Sequence, residues 1–451
     1  MSLHQVQGEP SPRRKQGKKH RYIPIKNKFW ISHGFAFLWL CLSVWLSIPW
    51  VLDLGGITGI FLAVLIVAGI SYIPGFMNAF MTSSLLLDRQ PPRKVQFPLE
   101  PVTILIAARN EEDGIGEAIR YIAAQDYGGK LSVLVIDNNS SDRTAEAALQ
   151  AGKEHQVEVS VLREPTPGKS HALNAALPHV ETELFLTLDA DTLLHRSAVR
   201  LIVSRLLSAP ADVCAVAGAV LVRNSRKNLL TKVQEWDYFL GIASIKRLQG
   251  LFQGTLVAQG AFSLYRTEAV RKIGGWPDAI GEDIVLTWRF LGENWRVYFE
   301  PLAVAFTCVP EKFSHFVRQR SRWARGMIEA LRIIKPWQQP IPYVQYMTGC
   351  NLIMPYLDIT FTLAWIPGLI LAFFGHYWIV GPFTLFVLPL TILQNCILYR
   401  YQRRVFQTLD LCVRKNRLGF WLYVLCYQMV LSPVSVYGYL QELLHLRRKW
   451  K

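Results

Sequence analysis

Two carboxylates separated by one small residue, Asp189 and Asp191, close the run Phe185-Leu186-Thr187-Leu188-Asp189-Ala190-Asp191. The mostly apolar residues before them suit a buried strand. A strand that ends on Asp-x-Asp at the carboxyl edge of a sheet can turn both carboxylates into one crevice as the chain bends. Held together they repel one another unless a cation lies between them. Their hard oxygen atoms suit Mg2+ or Mn2+, and such an ion would also hold the phosphates of a substrate. An isolated Asp-x-Asp is more often a solvated loop, so the other polar clusters have to decide.

A second acidic pair, Glu282-Asp283, follows the loop Gly274-Gly275-Trp276-Pro277 and opens an apolar helix from Ile284 to Phe290. Carboxylates at a helix N-terminus commonly do no more than stabilise the macrodipole, which accounts for Glu282 well and for Asp283 less well. Flanked by apolar residues, Asp283 is expected to be tuned toward basicity. Further on, Lys312 to Ile334 places Phe313, Phe316, Trp323, Met327, Leu331 and Ile334 at helical spacing against Arg318, Arg320, Arg322 and Arg325. An apolar stripe facing arginines predicts a helix lying in a membrane interface, and it contains Gln319-Arg320-Ser321-Arg322-Trp323.

The elements that must position these groups alternate. Val102 to Ala107, Leu131 to Ile136, Val157 to Leu162 and Leu184 to Leu188 are strand-like. Gly114 to Gln125, Ser141 to Gln150 and Lys169 to Ala176 between them are helix-like. That order predicts an α/β domain with a mostly parallel sheet and helices on both faces, whose ligands sit beyond the carboxyl ends of the strands. The first strand runs into Ala108, Asn110 and Glu111, the second into Asp137, the third toward Gly168-Lys169-Ser170, and the fourth into the paired aspartates. Donors and acceptors for a base and ribose, a cation for phosphate and a metal bridge are what a nucleotide-sugar site needs. Singly, Asp137 with Ser140 and Ser141 reads as an Asx turn leading to a helix cap. Gly168-Lys169-Ser170 is not a P-loop, because that pattern needs glycine where this chain has Arg163.

The chain of 451 residues is 51% hydrophobic and only 18% charged, with net charge +16. The composition departs from that of a soluble protein, and the basic blocks lie beside long apolar runs. This favours orientation in a membrane and contact with anionic lipid over nucleic-acid binding. We divide the chain into a basic, disordered cytoplasmic tail (1–28), two transmembrane helices (29–88), a proline-rich linker (89–101), the α/β domain (102–310), amphipathic interfacial helices (311–340), and two to three transmembrane helices with a basic loop and basic C-terminus (341–451). Within that last region Asp358 faces either a helix partner or a polar path. Five full spans would conflict with the positive-inside rule, and Pro433 marks the last apolar run as the exception. The seven scattered cysteines read as small buried hydrophobes.

Asp137, Asp189-x-Asp191, Glu282-Asp283 and Gln319-x-x-Arg322-Trp323, in this order and spacing, resemble the membrane-embedded, inverting, processive glycosyltransferases of family 2. That group includes hyaluronan, chitin and cellulose synthases, and above all, in arrangement, the bacterial poly-N-acetylglucosamine synthases. The resemblance implies a GT-A-type nucleotide-sugar domain inserted between membrane helices. It implies that Ala108, Asn110, Glu111, Asp137, Lys169, Asp189 and Arg322 bind the UDP-sugar. Asp191 with Asp189 would hold Mg2+ or Mn2+, Asp283 with Glu282 would supply the general base, and Gln259, Gly260, Gln319 and Trp323 would hold the acceptor. The partners implied are a UDP-sugar, first UDP-N-acetylglucosamine, a growing polysaccharide, membrane lipid and, left open, a small accessory membrane protein. The location implied is the cell (inner) membrane, with the catalytic domain cytoplasmic. This chain departs from the family at Asn138-Asn139 after Asp137, at Gly281 before Glu282, and at Gln259, where a smaller residue is usual. Competing readings are transfer of one sugar to a membrane lipid, synthesis of another polymer such as hyaluronan, chitin or a β-glucan, and a catalytically silent scaffold. The last predicts loss of Asp191, Asp283 or Arg322, and all three are present.

Overall fold

Alternate side chains of the first strand enter different cores. In the computed structural model of the protein, Val102–Ala108 (β1) sends Val102, Ile104 and Ile106 into one apolar cluster and Leu105 into another, as strand pleating requires. Residues 23–446 are described, apart from 382, 383, 385, 386 and 414. The tail expected to be disordered therefore lies largely outside the described residues. The strands that follow are Leu131–Asp137 (β2), Glu158–Arg163 (β3), Leu184–Asp189 (β4), Leu193–Leu194 (β5), Val213–Val222 (β6), Phe262–Arg266 (β7) and Arg296–Thr307 (β8). They form one sheet in the order β3-β2-β1-β4-β7-β6-β8-β5. β3, β2, β1 and β4 run parallel, β7 is antiparallel to both its neighbours, and β6 and β8 are parallel again.

Helices Ile115–Ala123, Thr144–His155 and Ala198–Leu207 cover one face, and Lys169–Ala176 and Glu282–Gly292 cover the other. The mostly parallel α/β domain expected from the alternation is present. The linker is not loose. Arg205, ion-paired with Glu300 at 2.6 Å in the interior, also donates to the Pro91 carbonyl at 2.7 Å.

Among the described residues four helices are long and apolar enough to cross a membrane: Ile25–Thr58, Ile60–Leu86, Pro342–Phe373 and Arg417–Leu443. The first starts before Phe29 and buries Lys28. Pro433 lies inside the last helix without ending it. A further helix, Val387–Thr408, follows a stretch that is only partly described. This helix takes in Arg400, Arg403 and Arg404, read from sequence as the start of a loop. Its Ile397, Leu398 and Val405 pack into the core of the α/β domain, and Gln402 donates to the Phe239 carbonyl at 2.8 Å. Burial against protein explains why the apolar run there need not span lipid.

Asp358 has a helix partner. It accepts from Ser432 at 2.6 Å and Tyr439 at 2.8 Å, both on the last of these four helices. Helix Phe313–Ile333 departs from a simple amphipathic pattern as well. Arg320 and Arg325 are buried, paired with Asp237 and Glu442, while Phe313 is exposed. A β-carbon on Gly438 would lie 2.8 Å from that of Ala324, so this helix packs directly on the last membrane helix.

Candidate active site

The carboxyl edge of the sheet gathers the first cluster. β1 aligns Ala107 with Asp189 and Ala108 with Asp137, so three strand ends lie level. Past Asp189 the chain turns, Thr192 N–H donating to the Asp189 carbonyl at 3.0 Å, and this brings Asp191 beside it. Asp191 accepts from Thr307 at 3.2 Å and Thr192 at 3.3 Å. Burial, and then the charge of Asp189, push the Asp191 carboxyl above the usual range. Lys169, first residue of its helix, pairs with Asp189. Burial alone would lower the affinity of Lys169 for its proton, but Asp189, and more weakly Glu282 and Asp283, raise it overall. Gly260 makes the pair possible, because a β-carbon there would stand 2.7 Å from Lys169 Nζ.

The second cluster is set by two glycines. A β-carbon on Gly281 would lie 2.9 Å from the Gly326 carbonyl oxygen, and one on Gly326 would lie 2.9 Å from Gly281 Cα. The turn carrying Glu282 and Asp283 therefore rests backbone to backbone on the helix of Gln319, Arg322 and Trp323. This close approach accounts for glycine at position 281. Gly326→Ala should push the two apart by a fraction of an ångström and lower turnover about tenfold to a hundredfold, measured as nucleotide release by folded protein. The preceding loop, for all its glycines, is pinned. Asn174 donates to the Trp276 carbonyl and accepts from its N–H, both at 2.8 Å, and Trp276 is buried.

The group whose proton affinity this geometry raises is Glu282. Burial, and then the adjacent Asp283, push it up to about 7, against the opposing pull of Lys169 and Arg322. As pH rises through about 7 Glu282 loses its proton, and the negative charge it gains favours loss of a proton from an acceptor hydroxyl bound beside it. The rate should therefore climb across that range. Glu282→Gln should flatten this limb of the pH profile, and an unchanged limb would assign it to another group.

Both clusters line one cavity of about 530 Å³. It brings together Lys169, Asp189, Asp191, Gln259, Gly260, Glu282, Asp283, Gln319, Arg322 and Trp323. Ala108, Asn110, Glu111 and Asp137 stay outside its lining, around the same sheet edge. There Asp137 accepts from Ser140 N–H at 3.1 Å and Asn110 accepts from Ser141 N–H at 2.8 Å. Gln259 does not reach freely into the space, since its amide donates to the Gly218 carbonyl at 2.8 Å. One face of Trp323 is covered by the Arg320 guanidinium, 4.2 Å from the ring centroid. Sequence reading missed Tyr238, Ile242, Ile245, Lys246 and Gln249 in the lining. The last four recur at i, i+3, i+4 and i+7, a helical face readable in principle but indistinguishable from a core stripe.

The residues fit a divalent ion. Asp191 is buried beside a like charge, the situation a cation relieves. Among the described residues no three His, Cys, Asp or Glu side chains are grouped as a metal site. A small hard cation held by Asp191 and Asp189 would thus complete its shell with phosphate and water oxygens, as Mg2+ commonly does.

A mostly parallel mixed sheet of eight strands with helices on both faces, flanked by apolar helices, is a GT-A-type fold. A mannosyltransferase from Pyrobaculum calidifontis, solved in complex with GDP-Man and Mn2+, shares it with TM-score 0.58 at 18% identity, covering 85% of this chain and 98% of that one. The family described as glycosyltransferase like family 2 matches residues 99–326, and the chain belongs to it. Its curated relatives include the poly-beta-1,6-N-acetyl-D-glucosamine synthases of Staphylococcus aureus (strain MSSA476) and Staphylococcus epidermidis. The first is 32% identical over 265 residues, 58% of this chain and 63% of that protein. The second is 30% identical over 300 residues, 66% of each. The match thus spans just under two thirds of these relatives.

Proposed function

We propose that the protein is a processive inverting β-glycosyltransferase that builds a polysaccharide from a UDP-sugar, first UDP-N-acetylglucosamine, and passes the chain across the membrane. The observation that carries this is the single cavity. It runs from the paired aspartates past Asp283 to Asn351 on the membrane helix Pro342–Phe373. A donor site and a route toward lipid are therefore one space. The relatives named as poly-N-acetylglucosamine synthases support the polymer and its sugar.

In this reading Ala108, Asn110, Glu111 and Asp137 receive the nucleoside, and Lys169 and Arg322 face the diphosphate. A divalent ion at Asp191 and Asp189, Mg2+ or Mn2+, supplies charge stabilisation to the departing diphosphate when bound. Asp283 accepts the proton of the acceptor hydroxyl as that oxygen attacks the anomeric carbon from the side opposite the leaving group, which inverts the configuration. Gln319, Gly260 and the open face of Trp323 orient the acceptor. The basic residues beside the apolar helices favour, by the positive-inside rule, a cytoplasmic side for the α/β domain. The location is then the cell membrane with the α/β domain inside.

The test is UDP release by purified protein in nanodiscs against a panel of UDP-sugars with Mg2+ or Mn2+, with products sized. A glycosidase-sensitive polymer from one donor supports the proposal. A lipid-soluble product carrying one sugar would replace it with the lipid-transferase reading.

A further inference from the structure

The cavity lining includes the apolar side chains of Ile242, Ile245 and Met327, and with them polar groups that donor chemistry leaves unused. Lys246 is only 8% exposed. Its ammonium makes one hydrogen bond, to the Val257 carbonyl at 2.7 Å, out of three that it can donate. Burial lowers its proton affinity, to about 8, against the opposing pull of Asp283. Asn351 lines the same space from the membrane helix Pro342–Phe373, and its amide Nδ2 is buried with no partner. Gln319 Oε1 is also buried and unpartnered. Buried donors and acceptors left unmade are costly, and two donors and one acceptor around one cavity define what would satisfy them.

We propose that Lys246 and Asn351, with Gln319, clamp a neutral sugar chain on the membrane side of Asp283. Hydroxyl and acetamido groups both give and take hydrogen bonds. One sugar unit can therefore accept from Lys246 and Asn351 while donating to Gln319 Oε1. The lining carries both carboxylates, Glu282 and Asp283, and cations, Lys169, Lys246 and Arg322, so it is hydroxyl and acetamido groups rather than a net charge that the clamp reads. The clamp holds the chain end between transfers, so it governs acceptor affinity and product length, not donor binding. This deepens the polymerase reading and rests on it.

The bond to Val257 gives Lys246 a structural role too, so the test separates the two. Full-length protein in nanodiscs is assayed with neutral short oligosaccharides as acceptors, comparing wild type with Lys246→Met, Lys246→Arg and Asn351→Leu. The expected result is an acceptor KM raised about tenfold or more in Lys246→Met and Asn351→Leu. The KM for the UDP-sugar should stay within about twofold of wild type. Products should shorten, and Lys246→Arg should recover part of the affinity. If Lys246→Met fails to fold, Asn351→Leu decides. Wild-type acceptor KM in folded variants, with only kcat reduced, overturns the clamp and leaves the polymerase reading standing. A wild-type protein that glycosylates lipid once and never extends an oligosaccharide overturns both.

Discussion

Asp283→Asn should lower kcat by a factor of about 10² to 10⁴ while the KM for the UDP-sugar stays close to wild type. The carboxamide has the shape of the carboxylate but cannot take a proton, so the change removes the base and little else. The turn that holds position 283 does not depend on the carboxylate's charge. It is fixed by the Gly281–Gly326 approach and by Thr287, which donates to the Asp283 backbone carbonyl at 2.6 Å. Donor groups at Lys169, Asp189 and Asp191 are untouched. Steady-state kinetics on folded protein provides the check. A fall of less than about tenfold would mean that another group takes the proton, and Glu282, with its raised proton affinity, would be the first to examine.

Asp191→Asn should cost about 10² to 10³ in turnover at saturating metal, and more at limiting metal. The buried carboxylate of Asp191 beside Asp189 is the reason to expect a cation there, and halving that charge weakens its hold. Asparagine keeps an acceptor for the hydroxyls of Thr192 and Thr307, which bind this side chain at 3.3 and 3.2 Å. The fold should therefore survive. Chelation of the wild type should bring nucleotide release to background, and added Mg2+ or Mn2+ should restore it. Titration of the metal against rate measures both effects. Full activity in the chelated wild type would remove the metal from the account.

The first four strands were legible because each is a short apolar run ending in polar residues, and helices separate them. Lys169–Ala176 was read with its observed bounds. β6 and β8 escaped because they are buried along nearly all their length, as Val213–Val222 shows, and an apolar run without alternation does not announce a strand. The site residues at strand ends could be placed for the same reason that ligands collect there. What the sequence could not show was the tertiary choice of partner. Arg320 looked like solvent-facing charge until Asp237 received it at 2.7 Å, and Lys246 looked like one more charge on a helix until the cavity formed around it. Asp358, open from sequence between a helix partner and a polar path, binds the neighbouring helix. Position 281 departs from the family pattern for a reason visible only in three dimensions, the backbone of Gly326 at contact distance.

The central claim is repeated addition to one chain within one cavity. It is tested most directly by giving purified protein in nanodiscs a labelled oligosaccharide in large excess over enzyme, then sizing products after a small fraction of the donor is consumed. Processive synthesis predicts a few long chains beside a pool of acceptor that has not been touched. A ladder in which nearly every acceptor has gained a single sugar, or label confined to the lipid fraction, would contradict it.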